Sequence, residues 1–285
     1  SAIFVVQYGY QLDWFHSSYI RIAMGACCIA LGFNIARMTY IRHPFLEAAA
    51  FRVNNLTNLL LAFLFLAILL ASKNTLQNTY TGAVLHWDAL NLSTLKWFEF
   101  FGSLLGAAFS WYALIRLKWS HKLITFFGFA MILVYVASMY FLVTPYTNIE
   151  KLYLPLMCCG FGHLAIFIAL TVYIQATAPF KNYFQVLCIL GFVRTGIGSP
   201  IGDSLYQHGI TGLMNRYLSA NFTATDAMVA TLQELYGYTF IFGIGVLILL
   251  AGSRFKKHVK KPIPTLRLLY ALANRRRPKE KPVVE

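Results

Sequence analysis

Charge is scarce in this sequence. Only 12% of the 285 residues are Asp, Glu, Lys or Arg, about half the share in a soluble domain. Only ten are acidic. A chain so poor in ionised side chains cannot cover itself with polar surface, which excludes an ordinary soluble globule. The spacings that carry common site chemistry are also lacking. There is no GxSxG, no HExxH and no paired-histidine metal spacing. No catalytic, cofactor-binding or metal-ligating residue is therefore expected, and the chain does not read as an enzyme. The five cysteines, Cys27, Cys28, Cys158, Cys159 and Cys188, contain no CxxC and all lie in apolar runs. They read as small packing residues rather than as a disulfide framework.

What is present is apolar length. The chain is 58% hydrophobic and 16% aromatic, with mean hydropathy +0.60. A helix needs about 20 apolar residues to cross the hydrocarbon of a bilayer. Seven runs qualify, at 17–40, 53–72, 92–117, 121–144, 151–176, 183–207 and 236–253. Cores such as LLLAFLFLAILLA at 59–71 have no two-residue alternation, and an open sheet edge finds no partner in lipid. The expected fold class is all-α, a polytopic membrane helix bundle. Residues 1–16 read as the end of a preceding span with an outer connection, 17–40 as one span, 41–253 as a six-span unit and 254–285 as a basic tail. Residue 1 is Ser, and SAIFVVQYGY opens in an apolar stretch without a charged leader. The chain accordingly reads as a fragment.

The net charge of +14 is unevenly placed. Eleven Lys and Arg fall between 254 and 281, with Glu280 the one acid there. A basic tail after an apolar span reads as a cytoplasmic anchor near anionic lipid. No helix-turn-helix or zinc pattern accompanies it, so nucleic acid is not an expected partner. Assigning the connections alternately to two sides puts eighteen basic residues on one side and four on the other. The tail and the 37–52 connection are then cytoplasmic, in a multi-pass protein of the inner (plasma) membrane. The longest outer connection, 208–235, is expected to leave the membrane and to hold a short helix capped by Thr225 or Asp226. TLRLLYALANRRR (265–277) reads either as a helix on the inner membrane surface or as solvated tail.

Ionisable groups at membrane depth are costly and face a cavity or a partner. Four are expected there: Glu99, His163, Arg194 and Asp203. Arg194 lies about twelve residues into its span, roughly 18 Å deep at 1.5 Å per residue. It is either a cavity residue facing substrate or a structural partner of a neighbouring helix. Asp203, nine residues on, falls on the opposite face of an ideal helix and reads as a hydrated carboxylate near the outer end. Glu99 follows Lys96 by three residues, the spacing of a same-face pair at a wet surface. His163 reads as hydrogen-bonded across helices, with a proton relay as the alternative. Gly198 and Gly202, like Gly102 and Gly106, are four apart and make small-residue faces for close helix packing.

Two stretches carry a resemblance. YGYQLDWFHSSYI (8–20) resembles the connection between the two extra central spans of fourteen-span drug/proton antiporters of the major facilitator superfamily. FVRTGIGS (192–199) resembles their arginine-containing, glycine-rich penultimate span. On that map 17–40 is an extra central span and the following six spans are the C-terminal half of the transporter. The resemblance implies two six-span halves around a central cavity and alternating access driven by a proton gradient. It implies efflux of drugs or amphipathic toxic compounds. It places Arg194 in the position of the family's arginine. Its implied partners are the lipid bilayer, an N-terminal half, a small-molecule substrate and, in some members, a periplasmic adaptor; no cofactor is implied. The rival readings are a non-transporting accessory membrane protein or inactive truncated product, and an uptake carrier of the same fold.

Overall fold

The computed structural model describes residues 2–9, 14–40, 51 and 55–253. The described residues are helical without a strand. Among the described residues seven helices are long and apolar enough to cross a membrane, which makes this part of the chain an all-helical, multi-pass membrane bundle. The basic tail, Pro44 and most of the 41–54 connection lie outside the described residues.

A short helix α1 (Ala2–Tyr8) precedes α2 (Ser18–Tyr40). A six-span unit follows, with α3 (Leu56–Ser72), α4 (Ala89–Ile115), α5 (His121–Leu142), α6 (Glu150–Thr177), α7 (Phe180–Gly191) and α8 (Ser199–Ser219) in one span, and α9 (Ala224–Gly252). Three of these spans are longer than the hydropathy predicts, one of them α9, which begins at Ala224 rather than near 236. α3 runs on through π-helical turns at Lys73–Gln77 and Tyr80–Val84, and α7 joins α8 through a third π-helical stretch, Phe192–Gly198. The spans are therefore 56–84 and 180–219 rather than 53–72 and 183–207. The expected 208–235 outer connection shrinks to 220–223, because α8 continues to Ser219 and α9 begins at Ala224.

The reason is that the polar runs which lower the hydropathy are satisfied inside the bundle. Thr79 and Thr81 return their hydroxyls to the carbonyls of Thr75 and Gln77, at 2.8 and 3.0 Å. Thr75 bonds to Asp203, and Tyr135 donates to Gln77 at 3.1 Å. At the start of α9 the cap is Thr223, which replaces the expected Thr225 or Asp226. Its hydroxyl oxygen accepts the Asp226 N–H at 3.2 Å and its O–H donates to the Asp226 carboxylate at 2.6 Å. The hydroxyl caps the first turn of α9, and the carboxylate fixes the hydroxyl's orientation.

Glycine sets the packing. Among the described residues α4 packs chiefly on α6, α6 also on α5, and α3 chiefly on α8. A Cβ on Gly102 would strike the Met157 carbonyl, one on Gly106 the Phe161 carbonyl, and one on Gly160 the Glu99 carbonyl. α4 and α6 therefore touch backbone to backbone, as their four-residue spacing suggests. On the other pair, a Cβ on Gly198 would come within 2.6 Å of the Ala67 Cβ, and one on Gly202 within 2.5 Å of the Ala71 Cβ. α9 packs against α5 and α8, joining the two sets. By contrast α2 stands almost free of the bundle, with 6% of its apolar window buried.

The connections 85–88, 143–149 and 220–223 share one end of the bundle, called upper below. Gln233 donates to the Val143 carbonyl at 2.8 Å and Tyr80 to the Thr144 carbonyl at 2.7 Å, which ties that end together. The lower half of the core is aliphatic and phenyl, around Leu59, Leu66, Ile132, Ile166 and Leu170. The upper half is rich in tyrosine, with Tyr80, Tyr135, Tyr206 and Tyr236 buried.

Candidate functional site

α4 with α6 and α3 with α8 form two pairs, and α3 and α4 are left largely apart. The ionisable groups gather along the gap. Lys73, in the first π-helical turn beyond α3, reaches across to Glu99 on α4 at 2.5 Å, with side chains 20% and 23% exposed. The expected Lys96–Glu99 pair is thus replaced by Lys73–Glu99. Sequence reading places Lys73 in an outer connection, because the polar run after Ser72 hides the continuing helix. Lys96 is exposed at the rim.

Lower down, Arg194 stands in the middle of the 180–219 helix, and its guanidinium lies 5.2 Å from the centroid of the Phe167 ring on α6. Arg194 has no carboxylate partner among the described residues, where Lys73–Glu99 is the one ion pair. A cation over an aromatic face is a partial substitute for hydration. One turn before Phe167 on α6 is His163. Its Nε2 is buried without a hydrogen-bond partner among the described residues, which replaces the expected cross-helix hydrogen bond at that atom. The imidazole is within electrostatic range of Arg194, Lys73 and Glu99. Of the four expected residues, Glu99 faces Lys73, Arg194 faces Phe167, and His163 lies one turn before Phe167 on α6.

Asp203 does not sit at a wet loop end. It is inside α8, accepting from Thr75 at 2.8 Å and from Ser199 at 3.3 Å. It locks α8 to α3 beside the Gly202–Ala71 contact. Arg194 and Asp203 do not pair, as expected. Pro200 shapes this region. It has no N–H to give to the carbonyl four residues back, and its ring crowds that carbonyl. The wider turn ahead of it relieves the clash, with the Ser199 N–H bonding the Arg194 carbonyl five residues back. Such turns frequently mark functional positions.

At the upper end the gap opens into a cavity of about 250 Å³, lined by Lys73, Asn74, Gln77, Asn78, Lys96 and Glu99 over a floor of leucines. Three of these residues, Asn74, Gln77 and Asn78, are not legible as site residues in a hydropathy reading. The available signal is the density of amides in KNTLQN (73–78) against a chain that is otherwise apolar. The chain matches no family model, and it has no significant match among curated proteins.

Proposed function

We propose that this chain is the C-terminal half of a proton-coupled efflux transporter of the major facilitator type. It moves amphipathic compounds by alternating access along the track between α3, α4, α6 and α8. One observation carries the reading. Among the described residues the one ion pair, Lys73–Glu99, and the Arg194–Phe167 cation-aromatic contact each join two different spans of an otherwise apolar bundle. A static bundle gains little by spanning a gap with charge, since burying a pair costs about what the pair returns. A bundle whose parts rock uses such contacts as links that form and break. The glycine faces keep each helix pair rigid while the pairs move. His163, whose buried Nε2 has no hydrogen-bond partner among the described residues, is our candidate for carrying a proton.

The test is efflux from an efflux-deficient bacterium producing the full-length protein that contains this chain, challenged with cationic dyes, neutral antibiotics and bile acids. Protection by the native chain that falls at least tenfold in Arg194→Ala, with equal membrane insertion, supports the reading. Normal efflux by Arg194→Ala removes Arg194 from the mechanism. Lack of protection against every compound favours the accessory role.

A further inference from the structure

The upper cavity has an excess of donors. Lys73 and Lys96 bring two positive charges and Glu99 one negative charge, and Glu99 is already engaged by Lys73. Gln77 accepts the Tyr135 hydroxyl through Oε1, which orients its amide so that the N–H groups remain to donate. Asn74 and Asn78 lie one turn apart on the same exposed face of the 56–84 helix. Below these groups the floor is Leu92, Leu95 and Leu156. At about 250 Å³ the space is at the small end of ligand sites.

We propose that this cavity binds a small organic monocarboxylate, its carboxylate between Lys96 and Lys73 and its apolar body on the leucine floor. A carboxylate accepts through both oxygens and matches a donor-rich rim that carries one net positive charge. A cation meets two ammonium groups there. A neutral compound leaves the Lys96 charge without an ion partner. This names a substrate class for the transport reading above and rests on it for its biological meaning. Lys96 has no hydrogen bond or ion pair among the described residues and is exposed, so it is the group free to receive the ligand.

The experiment is equilibrium binding to the full chain in phosphatidylcholine nanodiscs, by calorimetry, with benzoate and its neutral isostere benzamide. Benzoate is expected to bind at least tenfold more tightly than benzamide. Lys96→Gln should weaken benzoate at least tenfold and leave benzamide unchanged. Because Lys96 is exposed and makes no hydrogen bond or ion pair among the described residues, that variant should keep its native thermal midpoint. Equal binding of the two compounds, or unchanged benzoate affinity in Lys96→Gln, overturns the proposal. Nanodiscs containing phosphatidylglycerol supply the other source of an anion. Loss of benzoate binding in them while the lipid alone responds to Lys96→Gln assigns the site to a headgroup and overturns it as well. Binding without efflux in cells leaves the site standing and sinks the transport reading, and efflux without binding does the reverse.

Discussion

Lys73 and Glu99 are half-buried, and each leaves a charge behind when the other is removed. Taking one partner from a fully buried pair costs about 3–5 kcal/mol, and from an exposed pair under about 1. At their intermediate exposure, Lys73→Met or Glu99→Leu should each destabilise by about 1–3 kcal/mol. The double variant Lys73→Met/Glu99→Leu should recover most of that, and thermal unfolding of the purified protein in detergent measures all three. His163 gives the opposite sign. His163→Leu deletes a buried nitrogen that has no partner, worth about 1 kcal/mol and a midpoint roughly 2–4 °C higher. The same variant should lose proton-coupled efflux. A midpoint that falls instead would show that His163 is satisfied in the membrane. At this scale the sequence exposes Glu99, His163, Arg194 and Asp203 as rare ions in apolar runs, but not their partners. Glu99 finds Lys73 rather than Lys96 because the 56–84 helix continues past Ser72 and carries Lys73 alongside α4. No spacing rule for a regular α-helix anticipates that.

At the scale of the helix, the α4–α6 contact is the tightest. Gly102→Leu or Gly106→Val sets a side chain into the backbone of α6, and overpacking of this kind costs about 1–3 kcal/mol or more. Both should reduce folded yield, seen by gel filtration in detergent. Gly25 and Gly32 in α2 have open space around them, so Gly25→Leu and Gly32→Leu should leave the yield unchanged and serve as controls. Helix existence and most helix centres are legible in the hydropathy. Ends are not, wherever polar residues are paid back by bonds within the bundle, as with Thr75, Gln77 and Asp203. The small-residue spacing identifies the packing faces of α4 and α8 correctly, because only a missing side chain lets two backbones meet.

For the whole molecule, alternation of seven spans makes a simple accessibility pattern. In a cysteine-free background, single cysteines at positions 88, 146 and 221 should react with an impermeant maleimide from one side of the membrane. Cysteines at 118 and 179 should react from the other. Labelling of 88 and 118 from the same side would contradict the bundle. Sequence reading finds the number of spans because each crossing needs its own apolar length. It leaves the gap between helix pairs hidden, since a gap depends on which glycines face which neighbours.

A π-helical turn holds more residues than the α-turn in its place, so helix on either side of it is thrown out of phase. In the 180–219 helix that offset falls at Phe192–Gly198, the stretch that carries Arg194 and precedes the Thr75–Asp203 lock. One residue of slack corresponds to about 100° of rotation. Removing a single residue, normally ruinous inside a crossing helix, should here restore regular winding. Deletion of Gly196 would then yield a well-inserted protein in which Arg194 and Asp203 no longer serve their two separate neighbours.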